Sequence, residues 1–324
     1  MIRTRYRSVV LSLVLACLAA LATGAAHAQS YPFKTIEWIS HSSAGSGTDL
    51  FNRNVSGMME KQKILNVPFT HSNRVGGNGV IAYQYVQNKK GDPNVVIAMS
   101  VTVILSQSIL PDTGLSLASL TPIIRFAQDP QVVAVRTESK FKTYKELTDA
   151  ARDGSVVAGI TGPTGSGRAA LHYIERDTGA KFKYVTFKGG GDAVIATLGG
   201  HVEVTTENMS EMMPLVEAKK MRILAVTGER RFKQVPDVPT LRELGYKTVV
   251  ATGRGFGMPP GVPKEAAAAM EAALKRVHDS KEYKEYADRN MFEDAYLNST
   301  DFAKVLVTQR AEQLEFLKAI GIVK

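Results

Sequence analysis

Two stretches rich in glycine and hydroxyl side chains hold most of the chemistry this sequence offers. The first reads Ser42-Ser43-Ala44-Gly45-Ser46-Gly47-Thr48-Asp49. Glycines let a backbone turn tightly and approach a ligand closely. The N–H groups of a helix start have no intrahelical acceptor and carry partial positive charge, so a loop of this kind opening a helix is an anion site. Thr48 is expected to cap that helix, with Asp49 in its first turn; a plain capped turn is the alternative use of the same residues. The second stretch reads Thr161-Gly162-Pro163-Thr164-Gly165-Ser166-Gly167-Arg168. Arg168 is the type of side chain that pairs bidentately with a carboxylate, although a first-turn arginine also serves as a plain surface residue. Neither stretch is a nucleotide fingerprint. Thr161–Arg168 lacks the lysine of a phosphate-binding P-loop, and Gly45–Gly47 fails the dinucleotide spacing after its second glycine.

Other candidates are weaker. Glycine turns at Asn73–Gly79 and Lys188–Asp192 each precede a helical pattern. Asn73 and Gly77 are read as cleft candidates and Gly189–Gly191 as structural. Ser100 and Thr102 follow an apolar run and offer hydroxyl donors, while Glu207 and Asn208 are placed to sense the far end of a ligand. Beyond residue 28 the histidines are His41, His71, His172, His201 and His278, and no two have metal-ligand spacing on one helix. His41 lies near Ser42, Ser43 and Asp49, a set that resembles a nucleophile with its base, but no Gly-x-Ser-x-Gly elbow surrounds those serines. The reading therefore assigns no catalytic residue, no metal and no cofactor.

These loops need strands before them and helices after them, and the pattern supplies both. Strands are predicted at Ile36–Ser40, Val67–His71, Asn94–Met99, Val156–Ile160, Phe182–Phe187, Val202–Thr205 and Ile223–Thr227. Helical spacing covers Thr48–Lys61, Val80–Val86, Ala169–Ile174 and Asp192–Leu198, and Pro214–Ala218 continues the alternation. Alternating β and α elements imply parallel sheets covered by helices. Both loops fall at carboxyl ends of strands, where open α/β sheets bind ligands. Two helices, Pro263–His278 and Phe302–Ile320, are expected to close the chain. No linker separates domains, so the chain should cross between them more than once, at Thr121–Val135 and Thr248–Met258. The expected division is a leader at 1–28, a first lobe of 29–128 plus 253–324, and a second lobe of 129–252.

The leader is read from Arg3, Arg5 and Arg7, the apolar run Val9–Leu21, and the small residues of Ala26-His27-Ala28, with cleavage expected after Ala28. The run is short for a membrane span. Acylation at Cys17 would leave a long apolar tail after the cysteine. Cys17 is the only cysteine, so removal of the leader leaves no disulfide and no thiolate site. The formal net charge is +9, three units of which leave with the leader. Its lysines and arginines are scattered, which excludes the clustered stripe of a nucleic-acid binder and suits a mild field that attracts small anions.

The ordered set of motifs resembles the periplasmic solute receptors of tripartite tricarboxylate transporters, often called the Bug family. Tyr31-Pro32-Phe33-Lys34, Ser43–Asp49, Asn73–Gly79, Thr161–Arg168, Phe187–Gly200, Ile223–Arg231 and Val235–Gly245 each match a family segment. The resemblance implies a type II periplasmic binding fold, with two doubly wound α/β lobes joined by a hinge. It also implies that the two glycine loops hold a ligand carboxylate, aromatic or aliphatic, through backbone N–H groups, hydroxyls and bridging waters. The expected protein is a periplasmic monomer that is not an enzyme and delivers its ligand to membrane transporter subunits. A receptor for a membrane sensor, or a secreted hydrolase using His41, are the alternatives. Two departures stand out. His41-Ser42-Ser43 replaces a more apolar Pro-Phe-rich stretch. Arg168 stands where many members carry a small polar residue, and is expected to favour a second acidic group on the ligand.

Overall fold

The computed structural model describes residues 31–100, 115, 120–187 and 190–323. The leader, Thr102 and Gly189 lie outside the described residues.

Three parallel strands build the first half, β1 (Ile36–Ser40), β2 (Phe69–Asn73) and β3 (Val95–Met99), in the order β2-β1-β3. β3 reads Val-Val-Ile-Ala-Met and is buried at every position, as a strand covered on both faces must be. Helix α1 (Gly47–Lys61) turns Phe51, Val55, Met58 and Met59 inward, and α2 (Val80–Gln87) follows β2. Phe51 stacks on Phe256 with ring centroids 5.5 Å apart, and Trp38 meets Phe256 edge-on at 5.3 Å. Such ring pairs contribute about 0.5–1.5 kcal/mol beyond their area.

The second half repeats the arrangement. β5 (Val157–Thr161) lies between β6 (Lys183–Phe187) and β7 (Val204–Asn208), all parallel. Around them stand α3 (Tyr144–Ala150), α4 (Ser166–Thr178), α5 (Gly190–Leu198) and α6 (Met209–Glu217). Thr143 and Glu146 form a reciprocal capping box at the start of α3.

Two long strands join the halves. β4 (Thr121–Arg136) pairs antiparallel with β9 (Ala251–Met258) as far as Pro130. From Gln131 onward it pairs with β7 and with β8 (Met221–Val226), again antiparallel. Pro130 has no N–H to give a ladder, so it suits the changeover. Alternation of β and α elements predicts parallel sheets. The structure corrects this to mixed sheets, because the strands that cross between halves run against the triads.

Both helices expected at the end of the chain form, but a further helix and a strand lie between them. In order these elements are α7 (Lys264–Asp279), α8 (Lys281–Arg289), β10 (Glu293–Leu297) and α9 (Ser299–Ala319). Ser280 ends α7 in extended conformation and accepts the Tyr283 N–H to cap α8, so one residue closes the first helix and opens the next. β10 pairs antiparallel with β4. α9 begins with Phe302 and Leu306 in the core of the first half and ends with Phe316 and Leu317 against Ala169 of α4.

Candidate functional site

The first loop leaves β1 at its carboxyl end and is held from beneath by a buried acid. Gly45 adopts φ +81° and donates its N–H to Asp49 Oδ2 at 2.9 Å. Asp49 also accepts from Arg53 Nε at 3.0 Å and from Asn73 Nδ2 at 2.8 Å, and Asn73 Nδ2 reaches the Ser42 carbonyl at 2.9 Å. Burial alone would raise the Asp49 carboxyl. The hydrogen bonds from Arg53, Gly45 and Asn73, with the Arg53 charge, outweigh it and lower the carboxyl below its ordinary value. Ser46, not Thr48, caps α1, accepting the Asp49 N–H at 3.4 Å. The cap lies two residues earlier than expected because the helix already begins at Gly47, which leaves Thr48 in the first turn, facing the cavity.

A folded value below the unfolded one stabilises fully above the usual carboxylate range, and the benefit fades as pH falls through the lowered value. Asp49→Asn is therefore expected to cost about 1–3 kcal/mol at neutral pH and to flatten the acid side of the stability profile. Urea unfolding at neutral and acid pH measures both. An unchanged midpoint would remove Asp49 as the brace of this loop.

The second loop leaves β5 and opens α4. Gly165 occupies the N-cap and offers no side-chain bond, so the first N–H groups of α4 receive no cap from it. Gly167 lies tight against β7: a Cβ there would stand 2.4 Å from the Thr206 carbonyl oxygen. Thr206 Oγ1 donates to the Gly167 carbonyl at 2.8 Å.

Both loops face one cavity of about 840 Å³, within the usual range of small-ligand sites. Of the residues chosen from sequence, Ser42, Ser43, Gly45, Ser46, Gly47, Thr48 and Ser100 line its first side. Thr161, Gly165, Ser166, Gly167, Glu207 and Asn208 line the second. Gly190 and Gly191 join them. Five chosen residues do not line it, Gly77 among them. Asp49 and Asn73 brace the first loop from behind, and Thr164 is buried. Arg168 turns away: its guanidinium lies over the Tyr184 ring at 4.1 Å and pairs with Glu175 at 3.7 Å. A helix side chain points back toward its own neighbours unless a partner draws it elsewhere, and Tyr184 and Glu175 provide that partner.

Two of the charged residues that line the cavity, Arg254 and Glu211, were missed by sequence reasoning, while Glu207 was chosen. Arg254 on β9 donates from Nη2 to Asp129 Oδ2 at 2.5 Å and from Nη1 to Thr48 Oγ1 at 3.4 Å. Its Nε is buried without a hydrogen-bond partner among the described residues. Asp129 also accepts from Ser210 Oγ at 2.7 Å. Glu211 on α6 faces Gly47, and a Cβ there would stand 2.9 Å from its Oε1. Burial raises the Glu211 carboxyl, with Arg254 opposing and Asp129 reinforcing that rise. Glu207 accepts from Thr161 Oγ1 at 2.9 Å; burial first, then the Glu211 charge, push its carboxyl up to about 7. Asn208 Nδ2 is spent on the Asp129 carbonyl at 2.8 Å and Thr252 Oγ1 at 3.2 Å. Tyr286 and Phe292 supply an aromatic wall. A signal for Arg254 was present: it is the one charge in the strand Ala-Thr-Gly-Arg-Gly-Phe-Gly-Met, flanked by glycines.

His41 fits a packed role. Its Nδ1 lies 3.1 Å from Ser42 Oγ and its Nε2 lies 3.3 Å from Ser100 Oγ, while its ring rests on Tyr83. Burial, then the Arg254 charge, lower it to about 4, so the ring is neutral at neutral pH.

Comparison with known proteins adds the following. Residues 52–322 match the family described as tripartite tricarboxylate transporter family receptor. A curated relative from Cupriavidus necator, described as a UPF0065 protein in the gbd 5' region, is 26% identical over 92% of this chain and 91% of its own. A TctC solute binding protein from Polaromonas is 28% identical, with a TM-score of 0.72 covering 89% of this chain and 99% of that one. An R. palustris protein solved with adipate is 22% identical, with a TM-score of 0.81 covering 90% and 98%.

Proposed function

The chain belongs to the tripartite tricarboxylate transporter receptor family, and we propose that it captures a small carboxylate between its two halves and delivers it to membrane transporter subunits. Its family and its Polaromonas structural relative are receptors and solute-binding proteins, so it is a binding protein and not an enzyme. The observation that carries the carboxylate reading is the pair of strand-end loops, one from each half, facing a single cavity. One of them opens α4 with no side-chain cap, which leaves oriented N–H donors for an anion. A protein of the same fold was solved with adipate, a small carboxylate, which is in keeping with this choice.

Charge-assisted hydrogen bonds contribute about 1.5–3 kcal/mol each. Three or four of them, less ordering costs, reach the roughly −8 kcal/mol of a micromolar binder. The halves act as lobes in this reading, with the division at the β4 and β9 crossings. A ligand that touches both loops favours closure, because only the closed state makes both sets of contacts. Membrane subunits then recognise the closed surface. The N-terminal leader supports a periplasmic location, and among the described residues no helix is long and apolar enough to cross a membrane.

Thermal unfolding against a panel of mono- and dicarboxylates tests the reading. A ligand at one hundred times its Kd stabilises by about 2.7 kcal/mol, which moves the Tm by several degrees. No shift across a broad acid panel would overturn the proposal.

A further inference from the structure

We propose that Glu207 recognises a protonated nitrogen on the ligand, so that the solute is an amino-carboxylate in preference to a dicarboxylate. This rests on the carboxylate reading above and names the ligand's second group.

Glu207 ends β7, lines the cavity, and is only 8% exposed. Among the described residues its carboxyl receives one hydrogen bond, from Thr161 Oγ1, and no ion pair. The groups facing it are Thr161 on β5, the start of α5 at Gly190, and the like-charged Glu211 on α6. The cation of the cavity, Arg254, is engaged by Asp129. His41, lowered by burial, and Tyr286, raised by burial, are both neutral at neutral pH and complete the ionisable set that lines the site among the described residues. A second ligand carboxylate brought here would meet Glu207 and Glu211 together, and an ammonium would meet Glu207, which has no ion pair among the described residues, beside Glu211, whose neighbouring cation Arg254 is shared with Asp129.

Gly190 adds a separate geometric argument. A Cβ at this position would stand 2.7 Å from Glu207 Oε2 and 3.0 Å from its Cδ. The absence of a side chain lets the carboxyl rest against the start of α5. The pocket wall thus holds the Glu207 carboxyl in place with acceptor capacity left over, and a ligand ammonium would both use that capacity and favour the ionised form.

The two possible second groups carry opposite pH signatures. Burial, then the Glu211 charge, push the Glu207 carboxyl up to about 7. An ammonium needs it ionised, so affinity rises with pH through that value. A second carboxylate needs it protonated, so affinity falls. Calorimetry on the purified protein with 4-aminobutanoate, 5-aminopentanoate and 6-aminohexanoate, against succinate, glutarate and adipate, separates them. The expected result is an amino acid about tenfold or more tighter than the diacid of equal carbon number near pH 8, with affinity that grows from pH 5.5 to 8. Glu207→Gln should abolish both the preference and the pH slope. Should that variant fold poorly, the wild-type slope still decides, and Gly190→Ala, which displaces the carboxyl without removing it, should reduce the preference. Diacids that bind tighter than amino acids, with affinity falling as pH rises, would overturn this inference and leave the carboxylate reading intact. Binding of monocarboxylates alone, with no pH slope, would overturn it as well. Failure of every acid would remove the carboxylate reading itself.

Discussion

Arg254→Met is expected to lower stability by about 3–5 kcal/mol, because it strands a buried acid. The Arg254 side chain is 4% exposed and that of Asp129 is 0% exposed, with Nη2 and Oδ2 2.5 Å apart. Without the guanidinium, Asp129 keeps, among the described residues, the Ser210 hydroxyl and a long contact from the Ser210 N–H at 3.4 Å. Neither offsets the desolvation of a full charge. Methionine fills much of the same volume, so the loss reports charge more than packing. Removal of both charges in Arg254→Met, Asp129→Leu should recover most of it, since a buried pair replaced by apolar residues is often neutral. Urea unfolding of the two variants checks this. A loss below about 1 kcal/mol for the single variant would show that water reaches Asp129 after the change. Ligand affinity should fall in both variants, because Arg254 lines the cavity and has a donor to spare at Nε.

That pair marks the boundary of what local pattern reveals. The two loops were legible because their chemistry is local. Glycine, serine and threonine packed between an apolar run and a helical pattern describe a strand end, a turn and a helix start at once. Thirteen residues chosen on that ground and from adjoining strand ends line the cavity. Arg254 and Glu211 were not legible, because their place depends on which strands pair. β9 brings Arg254 beside Asp129 only through an antiparallel ladder that joins residues more than a hundred positions apart. Arg168 shows the converse. Its place in the first turn of α4 follows from the local sequence, but its direction is decided by Tyr184 and Glu175, which lie on another strand and another turn. β2 lies two residues beyond its expected range, at Phe69–Asn73, because parallel pairing with β1 fixes its register and its sequence is only partly buried.

Gly167→Ala is expected to weaken ligand binding by about tenfold or more and to lower stability by about 1–3 kcal/mol. Taken alone, the helix would prefer alanine by about 0.5–1 kcal/mol. Sterics decide the other way. The added Cβ would stand 2.4 Å from the Thr206 carbonyl oxygen and 2.8 Å from Thr206 Oγ1. Rotation of Thr206 relieves only the second contact, since the carbonyl belongs to β7, which pairs with β4 on one side and β5 on the other. The start of α4 must therefore lift away from the sheet, carrying Gly165 and Ser166 with it. The N–H donors proposed to hold the ligand would then point away from their present target, and the Thr206-to-Gly167 hydrogen bond would lengthen from 2.8 Å. Thr206→Ala in the same chain should fail to rescue binding, because the backbone contact persists. Ser166→Ala, which gives up one 3.3 Å contact to Thr252 Oγ1 without moving the helix, should be much milder. Thermal unfolding and calorimetry on the three variants order these effects. A Gly167→Ala protein as stable and as tight-binding as the parent would mean that α4 can stand off β7 at no cost, and that its close approach does not set the second loop.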